Sequence, residues 1–298
     1  MSTFPIDVIP YVLRRITVKT LVRCKCVSKP WGSLIDDSDF AKLHLHHSFK
    51  TNNNARLVLD TRGEVDDKAY SVDFDSLGNL EQLPRPFTTE VTGFCSRIFG
   101  SCNGLLAVYH HEAGIALWNP STRKCHYLPT LICGDAIEKD YLNLGFGYDV
   151  IGNDYKVVQM MASGTVLVYS LKANSWMKIK DCPYGIYHQG KQDGAYANGS
   201  LHWVGDEKDQ YVGDRLIFAL DLGVEEYHEV AECDISFRNF HYKNVWVLGG
   251  CFCVFREYAN EYDEDHIVLC VMKEYGAKES WTEILHLSQE NSRTCVSY

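Results

Sequence analysis

Several short stretches of this chain carry residue types that do chemistry in other proteins, and each can be weighed against what its reaction requires. Gly145-Phe146-Gly147 begins like a phosphate-cradling glycine run. A dinucleotide loop also needs a third glycine and a helix whose N-terminus meets the pyrophosphate, and neither follows here. Gly100-Ser101-Cys102-Asn103-Gly104 has the outline of a nucleophile elbow. The apolar run after it continues as strand, without the helix that exposes such a nucleophile, so a hairpin turn is expected. His110-His111 has no carboxylate at matching spacing and reads as a solvated hairpin tip. Cys24-Lys25-Cys26 and Cys251-Phe252-Cys253 lack the two-residue gap and the second ligand pair of a zinc site. No set of convergent acids, bases or thiols assembles, so no catalytic residue, metal or cofactor is expected.

Two loops carry a different chemistry. Glu257 to Asp265 holds five carboxylates and two tyrosines with no basic residue between them, and Tyr184 to Tyr196 is rich in aromatics and glycine. Aromatic anchors inside a charged rim suit contact with another protein. The candidate contacts are Tyr184, Tyr187, His188, Tyr258, Tyr262 and Asp263.

The elements that would position these loops fall into two patterns. Ile6, Ile9, Leu13 and Ile16 recur at helical spacing, Thr17 caps a second helix carrying Val18, Leu21, Val22 and Cys26, and Ser28 caps a third with Trp31, Leu34 and Ile35. Pro30 is harmless in a first turn, whereas Pro10 inside the first helix would cost roughly 3 kcal/mol, so that helix must start late or kink. Three helices of this size cannot bury all their apolar faces, and the surplus must meet something else. Lys50 to Asn54 is a polar break. Beyond it, β-rich runs alternate with Gly, Asn and Asp turns. Trp118, Tyr169, Leu220 and Val271 sit in matching strand–turn–strand contexts at intervals of 51, with a weaker copy about 46 residues earlier. A period near 50 with several strands per unit predicts a β-propeller of kelch length; even spacing by coincidence would suit a β-sandwich. Asn103-Gly104 and Asn198-Gly199 read as type I′ hairpin turns, and Trp118, Trp176, Trp203, Trp246 and Trp281 as filling between sheets.

Charge divides the same way. Residues 1–50 hold 8 Lys and Arg against 4 Asp and Glu, so the head carries +4 and the rest −14 of the net −10. An acidic body argues against nucleic acid and against anionic membrane surfaces. No signal peptide is expected, and the longest uncharged apolar run, Val245 to Phe255, is too short to span a bilayer. The twelve scattered cysteines read as buried, reduced thiols, and a cytoplasmic or nuclear location follows.

Phe4 to Phe40 resembles an F-box, matching at Pro5, Leu13, Arg15, Val18, Lys19, Leu21, Arg23, Val27, Ser28, Lys29, Trp31, Leu34, Ile35 and Phe40. It departs at Phe4, Pro10, Ile16-Thr17 and Gly32. GSCNGLLAVY, LWNPSTRKCHYLP, GFGYDVIGNDYKVVQM, VYSLKANSWMKI and NGSLHWV, in that order, resemble the F-box-associated domain of plant F-box proteins, a family that includes the S-locus pollen determinants. The resemblance implies an α+β multidomain chain: a helical F-box over 1–48, then a kelch-type all-β propeller-like domain over 49–298. It implies a non-catalytic substrate-recognition subunit of an SCF-type ubiquitin ligase. Pro5, Ile9, Leu13, Val18, Leu21, Val27 and Trp31 would touch a Skp-type adaptor, itself held by a cullin, while the β domain holds a protein target. A scaffold outside ubiquitin transfer, or a pollen determinant recognising a ribonuclease, are the alternatives. Because related chains continue past the SWTEI stretch, the last repeat is expected to lack strands, with an irregular tail over Leu287 to Tyr298.

Overall fold

The computed structural model describes residues 8–51, 56–61, 68–73, 76–87, 96–130, 143–161, 163–186, 193–207, 215–232, 240–259 and 265–289. The chain divides into two compact units, Met1–Ile98 with Asn103–Tyr127 and Phe99–Cys102 with Leu128–Tyr298. Four helices come first: α1 (Ile9–Leu13), α2 (Val18–Cys24), α3 (Lys29–Asp36) and α4 (Ser38–Thr51). Pro10 falls in the first turn of α1, so the helix starts late and loses no hydrogen bond to the ring. Thr17 and Ser28 accept from the amides of Thr20 and Trp31, each at 3.4 Å, and Asp37 Oδ1 accepts from Asp39 and Phe40 at 3.0 Å each to start α4. Among the described residues beyond α4, the one helical turn is 3-10, Lys278–Ser280.

Five antiparallel sheets follow. The first has three strands, β1 (Arg56–Thr61), β2 (Lys68–Asp73) and β3 (Ser76–Leu83). The second runs β4 (Ser96–Cys102), β5 (Leu105–His110), β6 (Gly114–Asn119), β7 (Lys124–Tyr127), and the third β8 (Asn143–Asp149), β9 (Asp154–Met160), β10 (Val166–Ser170), β11 (Ser175–Lys178). In the fourth, β12 (Tyr184–Ile186) and β13 (Ala195–Ala197) pair with opposite ends of β14 (Ser200–Glu207), which continues to β15 (Leu216–Asp221) and β16 (Tyr227–Glu229). The fifth is β17 (Phe240–Leu248), β18 (Cys251–Ala259), β19 (Asp265–Met272) and β20 (Trp281–Gln289). Each sheet is built from strands that follow one another in the chain, which is why the sequence repeats once per sheet. Trp118, Tyr169, Leu220 and Val271 lie on β6, β10, β15 and β19, the third strand of each complete sheet, and all four are buried.

The expected gap in the last repeat is not there. The fifth sheet has four strands paired along their length, and the three-stranded sheet is the first. Trp281 to Gln289 extends as one strand, taking in Leu287 to Gln289 of the expected tail; residues 290–298 lie outside the described set. Asn103 (φ 52°) and Gly104 (φ 78°), like Asn198 (φ 49°) and Gly199 (φ 81°), adopt the left-handed pair that a two-residue hairpin demands.

Packing between neighbouring sheets supplies the core. In the first unit, Ala69, Leu83, Leu106, Val108 and Trp118 form one cluster. In the second, Val158, Met160, Val168, Leu201, Trp203, Phe218 and Leu220 belong to a larger one. Lys156 reaches from β9 to the Leu222 carbonyl at 2.6 Å and to Glu225 at 3.0 Å, with Asp149 at 3.1 Å. Burial alone would lower the lysine's affinity for its proton, but Glu225 and Asp149 together outweigh this and hold the ammonium above its usual range. Of the cysteines, eight are described and all eight are free thiols. Burial pushes the Cys102 thiol up to about 12, which makes it an inert core residue.

Candidate functional site

The head is built around Leu13, Leu21, Ile35 and Phe40, with Ile9, Ile16, Cys24, Trp31 and Leu34 packed against them. His44 donates from α4 to the Ile16 carbonyl at 2.9 Å and is itself buried, so α4 closes the bundle that three helices could not. This arrangement redistributes the seven expected adaptor contacts. Leu13 and Leu21 are only 2% and 6% exposed and form the interior rather than the surface, because they lie on the faces that the helices turn toward one another. Ile9 and Trp31 are partly buried against the same cluster, Val18 is half-buried, Val27 is 63% exposed, and Pro5 lies outside the described residues.

What the head does present is a second apolar stripe. Val8, Tyr11 and Val12 are 39%, 57% and 50% exposed, at i, i+3 and i+4 on the side of α1 away from Ile9 and Leu13. The Arg14 guanidinium lies 4.8 Å over the Tyr11 ring and braces it. The Ile9–Leu13–Ile16 spacing marks the inner face of α1, and positions 8, 11 and 12 carry the outer stripe at the same helical spacing.

The two loops with aromatic candidates resolve differently from expectation. Tyr258 is buried and stacks on His266 with centroids 5.0 Å apart, so it belongs to the interior of the fifth sheet and not to a charged rim. Tyr184 is half-buried against Phe218, centroids 4.8 Å apart. Pairing in the strands recruits both rings before any partner can. Tyr187, His188, Tyr262 and Asp263 lie outside the described residues. His110 is buried too: its Nδ1 accepts from the Glu112 and Ala113 amides at 3.2 and 3.0 Å, closing the β5–β6 turn that was expected to be solvated.

Exposed apolar side chains gather instead at turns of the second unit. Val150 and Ile151, in the β8–β9 turn, are 68% and 77% exposed, and Val224 in the β15–β16 turn is 59% exposed. Those turns touch: a side chain at Gly223 would come within 2.8 Å of Ile151 Cδ1. Trp246, Val247 and Leu248 are exposed where β17 enters the corresponding turn of the fifth sheet, so Trp246 does not fill space between sheets as expected. Two β-branched residues inside Asp-Val-Ile-Gly-Asn-Asp were the available signal, since such a turn needs no apolar side chain.

Comparison with known proteins bears on both parts. The F-box domain family matches residues 1–43, and the F-box associated beta propeller domain family matches residues 65–297. The chain belongs to the F-box proteins with an F-box associated beta propeller domain. The Arabidopsis thaliana F-box protein CPR1 is 32% identical over 326 residues, covering 100% of this chain and 76% of that protein. F-box protein At4g22390 from the same plant is 30% identical, over 100% and 77% of the two chains. F-box/kelch-repeat protein At3g23880 is 24% identical, over 95% and 79%. The architecture is thus an N-terminal helical F-box followed by a five-bladed propeller, with one sheet per blade. F-box proteins typically act as SCF substrate adaptors and are generally non-catalytic. Among the described residues no group of three or more His, Cys, Asp or Glu is placed to hold a metal, and no helix is long and apolar enough to cross a membrane.

Proposed function

We propose that this F-box protein is the substrate-recognition subunit of an SCF-type ubiquitin ligase. Residues 1–48 engage a Skp-type adaptor and through it a cullin, residues 49–298 hold a protein target, and the complex works in the cytoplasm or nucleus. The observation that carries the reading is the pair of stripes on α1. A head that has filled its own core with Leu13, Leu21, Ile35 and Phe40 still exposes Val8, Tyr11, Val12 and Val27. Four apolar side chains kept in water on so small a bundle favour an apolar partner surface. The target contact that fits best is the apolar group at the blade turns, Val150, Ile151 and Val224.

Co-purification with Skp homologues tests the adaptor half. Wild-type chain should retain the adaptor, and Tyr11→Ser with Val12→Ser should weaken capture at least tenfold, at about 1–2 kcal/mol per anchor, without moving the thermal transition. A wild-type chain with no affinity for any Skp homologue ends the ubiquitin-ligase reading. Capture unaffected by the double variant would move the contact elsewhere on the head.

A further inference from the structure

The last two strands bring together two histidines that lie twenty positions apart in the chain. In the β19–β20 ladder His266 pairs with Ser288 and Val268 with His286, so the two imidazoles sit diagonally on one face of the sheet. His266 Nδ1 and His286 Nε2 face each other at 3.1 Å. On its far side, His286 Nδ1 lies 3.4 Å from Glu283 Oε1. Tyr258 stacks flat against His266, rings 8° from parallel, and fixes that ring's plane. The side chains of His286 and Glu283 are 41% and 47% exposed, which leaves room for water on the open side.

We propose that His266 and His286 form a site for one divalent transition-metal ion, with water completing the coordination shell. The spacing admits it. Metal–nitrogen bonds of about 2.0–2.1 Å spanning 3.1 Å enclose an angle of about 98°, between the right angle of tetragonal sites and the tetrahedral value. The protonation pattern admits it too. Glu283 Oε1 stands 3.4 Å from His286 Nδ1, so its carboxylate favours the tautomer with the proton on Nδ1, which leaves the Nε2 lone pair of that ring on the side of His266. Without an ion, His266 fills the gap by donating its Nδ1–H. With an ion, His266 shifts its proton to Nε2 and presents a second lone pair, so binding changes no net charge on the protein. A carboxylate behind one imidazole is the arrangement that orients histidine ligands and raises their basicity. Imidazole ligands without thiolate select nickel, copper or zinc over calcium or magnesium. The ion would tie β20, whose Ile284, Leu285 and Leu287 stay half exposed, to β19.

The full chain, stripped with chelator and titrated with Ni2+ by calorimetry, tests the site. One equivalent should bind, and the thermal transition should rise with Ni2+. His266→Ala and His286→Ala should each weaken binding at least a hundredfold, and Glu283→Gln about tenfold, whereas His46→Ala with His47→Ala should change nothing. Metal-free melting of each variant shows whether it folds, and His286→Gln replaces any that does not. Loss of the first equivalent in the His46/His47 variant, an unchanged first equivalent in both single variants, or no binding by wild-type chain would each overturn the assignment, leaving the pair as a neutral N–H···N hydrogen bond.

Discussion

In the helical head four apolar residues and His44 are buried, and five further apolar side chains around them remain partly open. In the third and fourth sheets ten buried residues make one cluster, and Leu201, Trp203, Phe218 and Leu220 are 1% exposed or less. The head is held by one small cluster, three caps and the His44 bond to Ile16. The sheets are held by interlocking side chains, Phe218 stacking with Trp203 at 5.8 Å and with Tyr184 at 4.8 Å within one cluster. A small bundle that spends part of its apolar inventory on an outer stripe keeps little stability in reserve. The sheets can lose surface side chains freely and interior ones hardly at all.

Trp203→Ala should be the most damaging single change, costing about 3–5 kcal/mol by lost burial and the cavity left behind. Denaturant titration followed by far-ultraviolet circular dichroism measures it; a cost under about 1 kcal/mol would erase the contrast between the regions. Acid should strike the sheets next. His202 is sealed between Phe252 and Tyr275, with Nδ1 3.0 Å from the Ala195 carbonyl and Nε2 2.6 Å from the Tyr275 hydroxyl. Burial lowers this imidazole to about 4, while in the unfolded chain it titrates near its ordinary value of about 6.5. Its contribution is therefore complete above pH 6.5 and is lost progressively down to pH 4, by about 3 kcal/mol. His202→Gln should flatten that part of the stability–pH curve, and an unchanged slope would assign acid sensitivity to other groups. Leu13→Ala should cost about 2 kcal/mol, the lower end for a core leucine because neighbours in a small bundle can close in. Hydrogen exchange should accelerate in α1–α4 and stay constant in β8–β16; equal acceleration in both would show that head and sheets unfold together.

Much of this could be read from residue types and spacing, for identifiable reasons. The 51-residue interval located the third strands because one blade is one run of consecutive strands, and the Asn-Gly pairs placed hairpin turns because few other residues accept their φ values. Side-chain exposure was less readable. Leu13 and Tyr11 lie on the same five-residue helix, and only the positions of α2, α3 and α4 decide which faces inward. Tyr258 looked like a loop anchor because five carboxylates surround it in the chain, yet strand pleating turns it into the interior. Ile284 is skipped in the β19–β20 pairing, and that register shift sets where His286 falls against Val268, which no local pattern announces.

Every described sheet is made of strands adjacent in the chain, and this bears on how the protein comes into being. A ribosome adding about 5–20 residues per second delivers one 51-residue repeat every few seconds, whereas hairpins close in about 1–10 microseconds. Each blade can therefore zip up as it emerges, long before the next is complete. Unpaired strand edges inside a blade, the hazard of slow β folding, are therefore open only for the few seconds of that blade's own synthesis. The helical head emerges before all the blades.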